Sequence, residues 1–130
     1  MKKILGLLCL VGGLCVCCSS IAQEKKTLLS VEEYAQAIAE DTTAVLVDVR
    51  KPEEFKEGHI AGALLLNVLD TESFKESIRL LDKEKTYYVY CRSGRRSQTA
   101  VSKMKEIGLT VYELSGGFQS WTEAGKNVEK

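Results

Sequence analysis

Cys91 and the five residues that follow it are the part of the sequence best suited to chemistry. Arg92, Arg95 and Arg96 surround the cysteine with positive charge, and Gly94 allows the backbone to turn toward the sulfur. A cationic neighbourhood and converging backbone amides stabilise a thiolate, which is the nucleophilic form of cysteine. The motif therefore predicts a reactive thiol, with Cys91 as the nucleophile.

The free energy needed to form this thiolate determines how much stabilisation of the negative charge the loop must provide. Lowering the pKa of a thiol by two units from about 8.5 requires about 2.7 kcal/mol of preferential stabilisation of the charged form. A helix dipole alone contributes only about 0.3–1 kcal/mol. We therefore expect the amides of residues 92–96 and the arginine side chains to supply the remainder. The alternative is a buried structural cysteine, but three arginines within five residues would then need other partners.

The flanking sequence predicts a strand before Cys91 and a helix after it. Residues 86–90 form an apolar, β-branched and aromatic run that is typical of a buried strand. Ser97 is a good N-cap residue type, and apolar residues then recur at helical spacing up to Gly108, which suits the end of a helix. Backbone amides at such a strand-to-helix junction favour an anion.

Strands and helices alternate along the rest of the sequence. The patterns predict further strands at 28–29, 44–49, 63–67 and 110–114, and helices that follow Ser30 and Lys51 and that cover 73–81 and 118–124. The segment 115–117 predicts a flexible turn. This order predicts one three-layer α/β domain with a mainly parallel five-stranded sheet flanked by helices. Its ligands should bind at the carboxyl ends of the strands.

Three motifs resemble those of single-domain rhodanese-like sulfurtransferases. Residues 90–97 resemble the active-site loop of the family, residues 46–63 its N-terminal signature and residues 116–121 its C-terminal signature. Ala61 departs from the pattern, which more often has proline there. The resemblance implies a rhodanese-like fold with Cys91 as the catalytic residue. It also implies that five loop residues bind substrate: Arg92, Ser93, Gly94, Arg95 and Arg96.

Five further polar residues are expected to support the site rather than to react. Three of them could face the pocket or could hold neighbouring loops together: Asp48, Arg50 and Glu54. The second role is favoured, and Arg50 is kept as an indirect contributor to the site. His59 is the only histidine and could activate the thiol as in Cys–His hydrolases. A hydrogen bond that fixes its turn is favoured, because the loop can stabilise a thiolate without a base. Ser97 completes the supporting set.

The leading functional hypothesis is a sulfurtransferase of the thiosulfate:cyanide type. Cys91 would take a sulfane sulfur as a persulfide and pass it to a thiophilic acceptor, with thiosulfate or a persulfide as the small anionic donor and with no metal or other cofactor. A cysteine phosphatase or arsenate reductase is disfavoured, because a tyrosine-phosphatase-type loop places its arginine one residue later than Arg96. The other alternative is a thiol redox or persulfide-binding module without turnover, which would work with a redox partner protein.

Composition argues for one globular domain without a nucleic-acid partner. The 130 residues carry 18 basic and 18 acidic side chains, so no global field directs the protein toward nucleic acid or an anionic membrane. Four of the five cysteines, Cys9, Cys15, Cys17 and Cys18, lie before residue 20. Cys91 is thus alone in the domain, which excludes a disulfide framework or a zinc site built on several cysteines there.

The N-terminal segment predicts export. A basic start, an apolar stretch over residues 4–16 and small residues before position 23 are typical of a secretory signal peptide. We expect cleavage of residues 1–22 to leave a mature domain of residues 23–130 in the periplasm. The alternatives are an uncleaved membrane anchor and a membrane-anchored lipoprotein acylated at Cys17 or Cys18.

Overall fold

The computed structural model describes residues 26–130, so the predicted signal peptide lies outside the described residues. Five strands and five helices alternate along this part of the chain. The strands are β1 (Leu28–Leu29), β2 (Ala44–Asp48), β3 (Leu64–Leu65), β4 (Thr86–Tyr90) and β5 (Thr110–Leu114). The helices are α1 (Val31–Glu40), α2 (Pro52–Glu57), α3 (Thr71–Arg79), α4 (Arg95–Glu106) and α5 (Gly117–Glu123). Between residues 26 and 130, no helix is long and apolar enough to span a membrane.

The five strands form one parallel sheet in the order β1-β5-β4-β2-β3. Strand β4 is central, and its Val89 lies beside Val47 of β2 on one side and Glu113 of β5 on the other. Because all strands run the same way, their carboxyl ends meet at one edge of the sheet. Cys91 leaves β4 at that edge. The predicted parallel α/β sheet is confirmed.

Alternate residues of the central strand enter two separate cores. Tyr87 and Val89 join the core on the face covered by α3 and α4, whereas Tyr88 and Tyr90 join the core on the face covered by α1 and α5. A strand that is buried on both faces needs an unbroken apolar sequence, because successive side chains point to opposite sides. Helices on both faces confirm the predicted three layers.

Two helix starts agree with the sequence patterns. Ser30 caps α1, where its hydroxyl accepts a hydrogen bond from the Glu33 amide at 3.1 Å and its own amide donates to the Glu33 carboxylate at 2.9 Å. Pro52 occupies the first position of α2, which ends at Gly58. Proline is favoured there because the first helical amide has no partner within the helix.

Some predicted boundaries were wrong. Strand β3 covers only Leu64–Leu65 instead of residues 63–67, because only these two residues align with β2. Helix α3 begins at Thr71, two residues before the predicted start, since the Phe74 amide already donates to the carbonyl of Asp70 at 2.9 Å. Helix α5 likewise begins at Gly117, one residue early.

Candidate active site

Strand β4 delivers Cys91 to the carboxyl edge of the sheet, where the loop folds around its sulfur. The residue is only 1% exposed, and the backbone N–H of Gly94 donates to Sγ at 3.0 Å. Gly94 adopts a φ of +115°, a left-handed conformation that side chains disfavour. A glycine at this position therefore allows the loop to turn an amide toward the sulfur, as the sequence predicted.

Hydrogen bonds to the sulfur set its acidity. Burial raises the pKa of Cys91, but the side chain of Ser97 and the backbone N–H groups of Ser97, Gly94 and Ser93 lower it more. The net result is a Cys91 pKa below the ordinary value for a thiol. The loop thus favours the nucleophilic thiolate without a histidine at the sulfur.

The three arginines of the loop have different surroundings. Arg96 donates from Nη1 and Nη2 to the two carboxylate oxygens of Glu54 at 2.7 and 3.0 Å. Hydrogen bonds from Arg96 are the largest cause that lowers the pKa of Glu54, to about 2. Arg92 and Arg95 are exposed. Arg96 therefore already has an anionic partner, and substrate binding by the loop residues stays a prediction.

The predicted N-cap of α4 was wrong. The helix begins at Arg95 with Gly94 as its N-cap, so Ser97 is the third helical residue and is fully buried. Its hydroxyl lies 2.7 Å from a carboxylate oxygen of Glu113, 3.2 Å from the carbonyl of Gly94 and 3.5 Å from Cys91 Sγ. Tertiary contacts, rather than the preference of serine for helix ends, determine its position.

Asp48 and Arg50 form a buried ion pair behind the loop. The Arg50 Nε and Nη2 groups donate to the Asp48 carboxylate at 2.9 and 2.8 Å, and Nη2 also donates to the carbonyl of Gly58 at 2.7 Å. The guanidinium carbon lies 4.4 Å from the centre of the Phe118 ring. These contacts connect β2, the end of α2 and α5, as expected for residues that tie loops together.

His59 lies in a turn, and within residues 26–130 it is not among the hydrogen-bond partners of Cys91 Sγ. Its Nδ1 lies 2.9 Å from the carbonyl of Phe55, and its ring stacks on the Phe55 ring at 3.7 Å. A carbonyl can only accept, so Nδ1 carries a proton. The backbone of His59 also pairs with Glu129 through hydrogen bonds of 2.9 and 2.8 Å. This is the arrangement that the turn-fixing hypothesis describes.

Gly117 has a structural role that the sequence analysis missed. The Phe118 amide donates to the carbonyl of Cys91 at 2.8 Å and the Gln119 amide donates to that of Arg92 at 3.0 Å. Gly117 is buried, and an added Cβ would lie 2.6 Å from both carbonyl oxygens. Gly117 is thus a close-packed support of the loop, whereas residues 115 and 116 form a turn as predicted. In the sequence, the pair of glycines directly before a predicted helix was the signal that could have indicated this close packing.

Glu113 was also missed. It is only 8% exposed, and its Oε2 accepts the 2.7 Å hydrogen bond from Ser97. Residues 111 and 113 of β5 point to the face covered by α4, because side chains alternate along a strand. An acidic residue at an inward-facing position of a buried strand was the signal that could have identified it.

Two clefts are lined in part by residues of the loop. One, of about 420 Å³, is lined by Arg92, Glu57 and Phe118 among others. The second, of about 360 Å³, is lined by Ser93, Arg95 and other residues of β5 and the loop. Within residues 26–130, no group of three or more metal-binding side chains comes together.

The fold and the site define an α/β domain with one cysteine held by backbone amides at the carboxyl edge of a parallel sheet. The model of the rhodanese-like domain matches residues 30–124. The chain therefore belongs to the rhodanese-like domain family, and the resemblance of its three motifs is confirmed.

Named relatives and solved structures agree with this assignment. The thiosulfate sulfurtransferase GlpE of Pseudomonas syringae is 40% identical over 90 residues, which cover 68% of this chain and 81% of that protein. The uncharacterized protein YqhL of Bacillus subtilis is 39% identical over 79 residues, which cover 60% of each. The crystal structure of a rhodanese-related protein from Thermoplasma volcanium has a TM-score of 0.70 at 28% identity, covering 81% of this chain and 98% of that one.

Proposed function

We propose that this protein is a sulfurtransferase that carries sulfane sulfur on Cys91 as a persulfide. The observation that carries the proposal is the 3.0 Å hydrogen bond from the Gly94 amide to Sγ, within a loop that lowers the pKa of the thiol. Thiosulfate sulfurtransferase is also the name of relatives that are 38–40% identical to this chain. Together these findings favour thiosulfate, or a related persulfide, as the donor.

The proposed transfer balances without a cofactor. The Cys91 thiolate attacks the outer sulfur of thiosulfate, the S–S bond of thiosulfate breaks, and sulfite leaves with the bonding electron pair. Cys91 then carries a persulfide anion, which the loop amides stabilise as they did the thiolate. A thiophilic acceptor such as cyanide attacks the terminal sulfur, which leaves as thiocyanate and regenerates the thiolate.

Mass spectrometry of the peptide that carries Cys91 tests this proposal on the full chain. Trypsin should release residues 86–92, because Lys85 precedes this segment and Arg92 ends it. After thiosulfate treatment and alkylation, we expect this peptide to gain one sulfur atom, and cyanide added before alkylation should remove it. The Cys91→Ser variant should gain none.

A negative result would redirect the assignment. If peptide 86–92 stays unmodified with thiosulfate and with a low-molecular-weight persulfide, sulfur transfer through Cys91 is excluded. A redox or binding role of the thiol would then be favoured. Hydrolysis of p-nitrophenyl phosphate by the same preparation would instead favour the phosphatase alternative.

We further propose that the protein is exported and that residues 1–22 are removed. The basic, apolar and small-residue regions of this segment support the proposal. Expression of the full chain in a bacterial host should give a mature protein whose intact mass corresponds to residues 23–130, recovered in the periplasmic fraction. A product that retains residues 1–22, or that carries lipid on Cys17 or Cys18, would contradict cleavage after Ala22.

A further inference from the structure

A buried carboxylate lies directly beneath the loop of Cys91. Glu113 of β5 is the register partner of Val89 in β4, two residues before the cysteine on the same face of the sheet. Residue 113 thus projects toward the start of α4, where it meets Ser97. The cysteine, the serine and the glutamate are only 1%, 0% and 8% exposed. The three side chains form a buried row from the sulfur to the carboxylate.

Glu113 differs from the other carboxylates near the loop. Glu54 is paired with Arg96, and Asp48 is paired with Arg50. Within residues 26–130, the Glu113 carboxylate accepts a side-chain hydrogen bond from Ser97 and belongs to no ion pair. Buried carboxylates usually have a cationic partner. The hydroxyl of Ser97 is therefore a strongly held donor to Glu113.

Ser97 has one hydroxyl hydrogen and three acceptors within reach. The distances from its Oγ are 2.7 Å to Glu113 Oε2, 3.2 Å to the carbonyl of Gly94 and 3.5 Å to Cys91 Sγ. A charged acceptor at the shortest distance binds that hydrogen most strongly. The Glu113 carboxylate therefore competes for the hydrogen through which Ser97 lowers the pKa of Cys91. It leaves the serine oxygen facing the sulfur, which suits a thiol that donates better than a thiolate that must accept.

We propose that Glu113 is a positioning residue that withholds the Ser97 hydroxyl hydrogen from Cys91 and so restrains the nucleophile. Without the charge of this carboxylate, the serine hydrogen is held less strongly and is freer to turn to the sulfur. The reactivity of Cys91 is thus linked to the charge of a carboxylate that it does not touch. The inference rests on the proposed function only in that Cys91 is taken as the nucleophile.

Other charged groups around the sulfur act on it in parallel. Arg96 interacts electrostatically with Cys91 from α4, although Glu54 of α2 offsets part of its charge. Arg95 lines the same cleft as Glu113. Asp48 and Arg50, behind the loop, compensate each other, and Arg92 is exposed to solvent. None of these groups accepts the Ser97 hydrogen, so a change at Glu113 isolates its contribution.

The test is the pH dependence of alkylation of Cys91 in the full chain, followed on peptide 86–92 with iodoacetamide. Glu113→Gln keeps the size of the side chain, removes its charge and lets its amide donate to Ser97. Glu113→Val removes the charged acceptor altogether and leaves the more distant Gly94 carbonyl as the remaining competitor of the sulfur. Both variants should move the midpoint of the alkylation profile down by about one pH unit. Below the midpoint the rate should rise about threefold, because a tenfold gain in thiolate is partly offset by its lower nucleophilicity.

Two controls separate this effect from general perturbation. Glu106→Gln makes the same charge change at the far end of α4, about 17 Å along the helix from its start, and should leave the profile unchanged. In a Ser97→Ala background, Glu113→Gln should lose more than half of its effect, because the hydrogen that it releases is gone. Unchanged or slower alkylation in both Glu113 variants would overturn the proposal.

The alkylation readout is independent of sulfur transfer. If thiosulfate fails to modify Cys91 but the Glu113 variants shift the profile as stated, the proposed function is wrong and the role of Glu113 stands. If the wild type forms a persulfide but both Glu113 variants alkylate at the wild-type rate, the function stands and the role of Glu113 is wrong.

Discussion

Replacing Gly117 by alanine should reduce the rate of persulfide formation about 100-fold and also lower the stability of the domain. The new Cβ would lie 2.6 Å from the carbonyl carbon and oxygen of Arg92 and from the carbonyl oxygen of Cys91. These are backbone atoms, so no side-chain rotation relieves the contact. The loop must move away from α5, and the Gly94 amide that donates to Sγ moves with it.

The expected loss of stability has two separate sources. Gly117 has a φ of +63°, a conformation that costs about 1–2 kcal/mol for a residue with a Cβ. The steric overlap should add about 1–3 kcal/mol, as overpacking does elsewhere. Urea unfolding measures the sum, and single-turnover persulfide formation measures the displacement of the loop. The rate should be measured under conditions in which far-UV circular dichroism shows the variant to be folded.

Gly125 provides a matched control for the backbone strain. Its φ is +75°, but no atom lies within 4 Å of an added Cβ. Gly125→Ala should therefore lose about 1–2 kcal/mol of stability and keep a rate close to that of the wild type. If folded Gly117→Ala forms the persulfide within twofold of the Gly125→Ala rate, contact with α5 does not position the loop.

Local patterns were sufficient to predict the order of the elements and the location of Cys91. The apolar run before Cys91 encodes a strand buried on both faces, and the Ser30 capping box encodes a helix start, because the interactions involved lie within a few residues. The parallel sheet then follows from the alternation of strands and helices. In this way the sequence also places the reactive loop at the carboxyl edge.

Contacts between distant segments were not predictable in the same way. The ion pair of Arg96 with Glu54 joins residues 42 positions apart, so the loop sequence alone does not indicate it, and substrate binding by Arg96 stays a prediction. Ser97 resembles an N-cap locally, but Glu113 and a glycine with positive φ determine its environment. Gly117 looked like a flexible turn because its close neighbours belong to another loop. The errors at Ser97 and Gly117 replaced a tertiary contact by a local preference.

Asp48→Ala should destabilise the domain more than any change on its surface, by about 3–5 kcal/mol. Asp48 is 0% exposed and Arg50 is 3% exposed, so removal of the carboxylate leaves a buried guanidinium without its counter-charge. The backbone amide of Arg50 also loses its 3.0 Å hydrogen bond to Asp48. The free energy of unfolding from urea titration measures the loss.

The surface pair of Glu32 with Lys126 is the control for removing a carboxylate from an ion pair. Its N···O distance is 3.0 Å, but the Glu32 side chain is 76% exposed. Solvent screens such a pair, and Glu32→Ala should cost at most about 1 kcal/mol. A similar small loss for Asp48→Ala would show that the buried pair does not hold the region behind the loop.

Removing both members of the buried pair should cost less than the two single changes together. In the double variant Asp48→Leu with Arg50→Met, no buried charge is left unpaired, and apolar side chains fill a similar volume. The free energies of unfolding of the two single variants and the double variant give a coupling energy, which we expect to be about 1–3 kcal/mol. Purely additive losses would mean that the two residues stabilise the domain independently. Asp48 would then act through its hydrogen bond from the Arg50 amide, and Arg50 through its hydrogen bond to the Gly58 carbonyl.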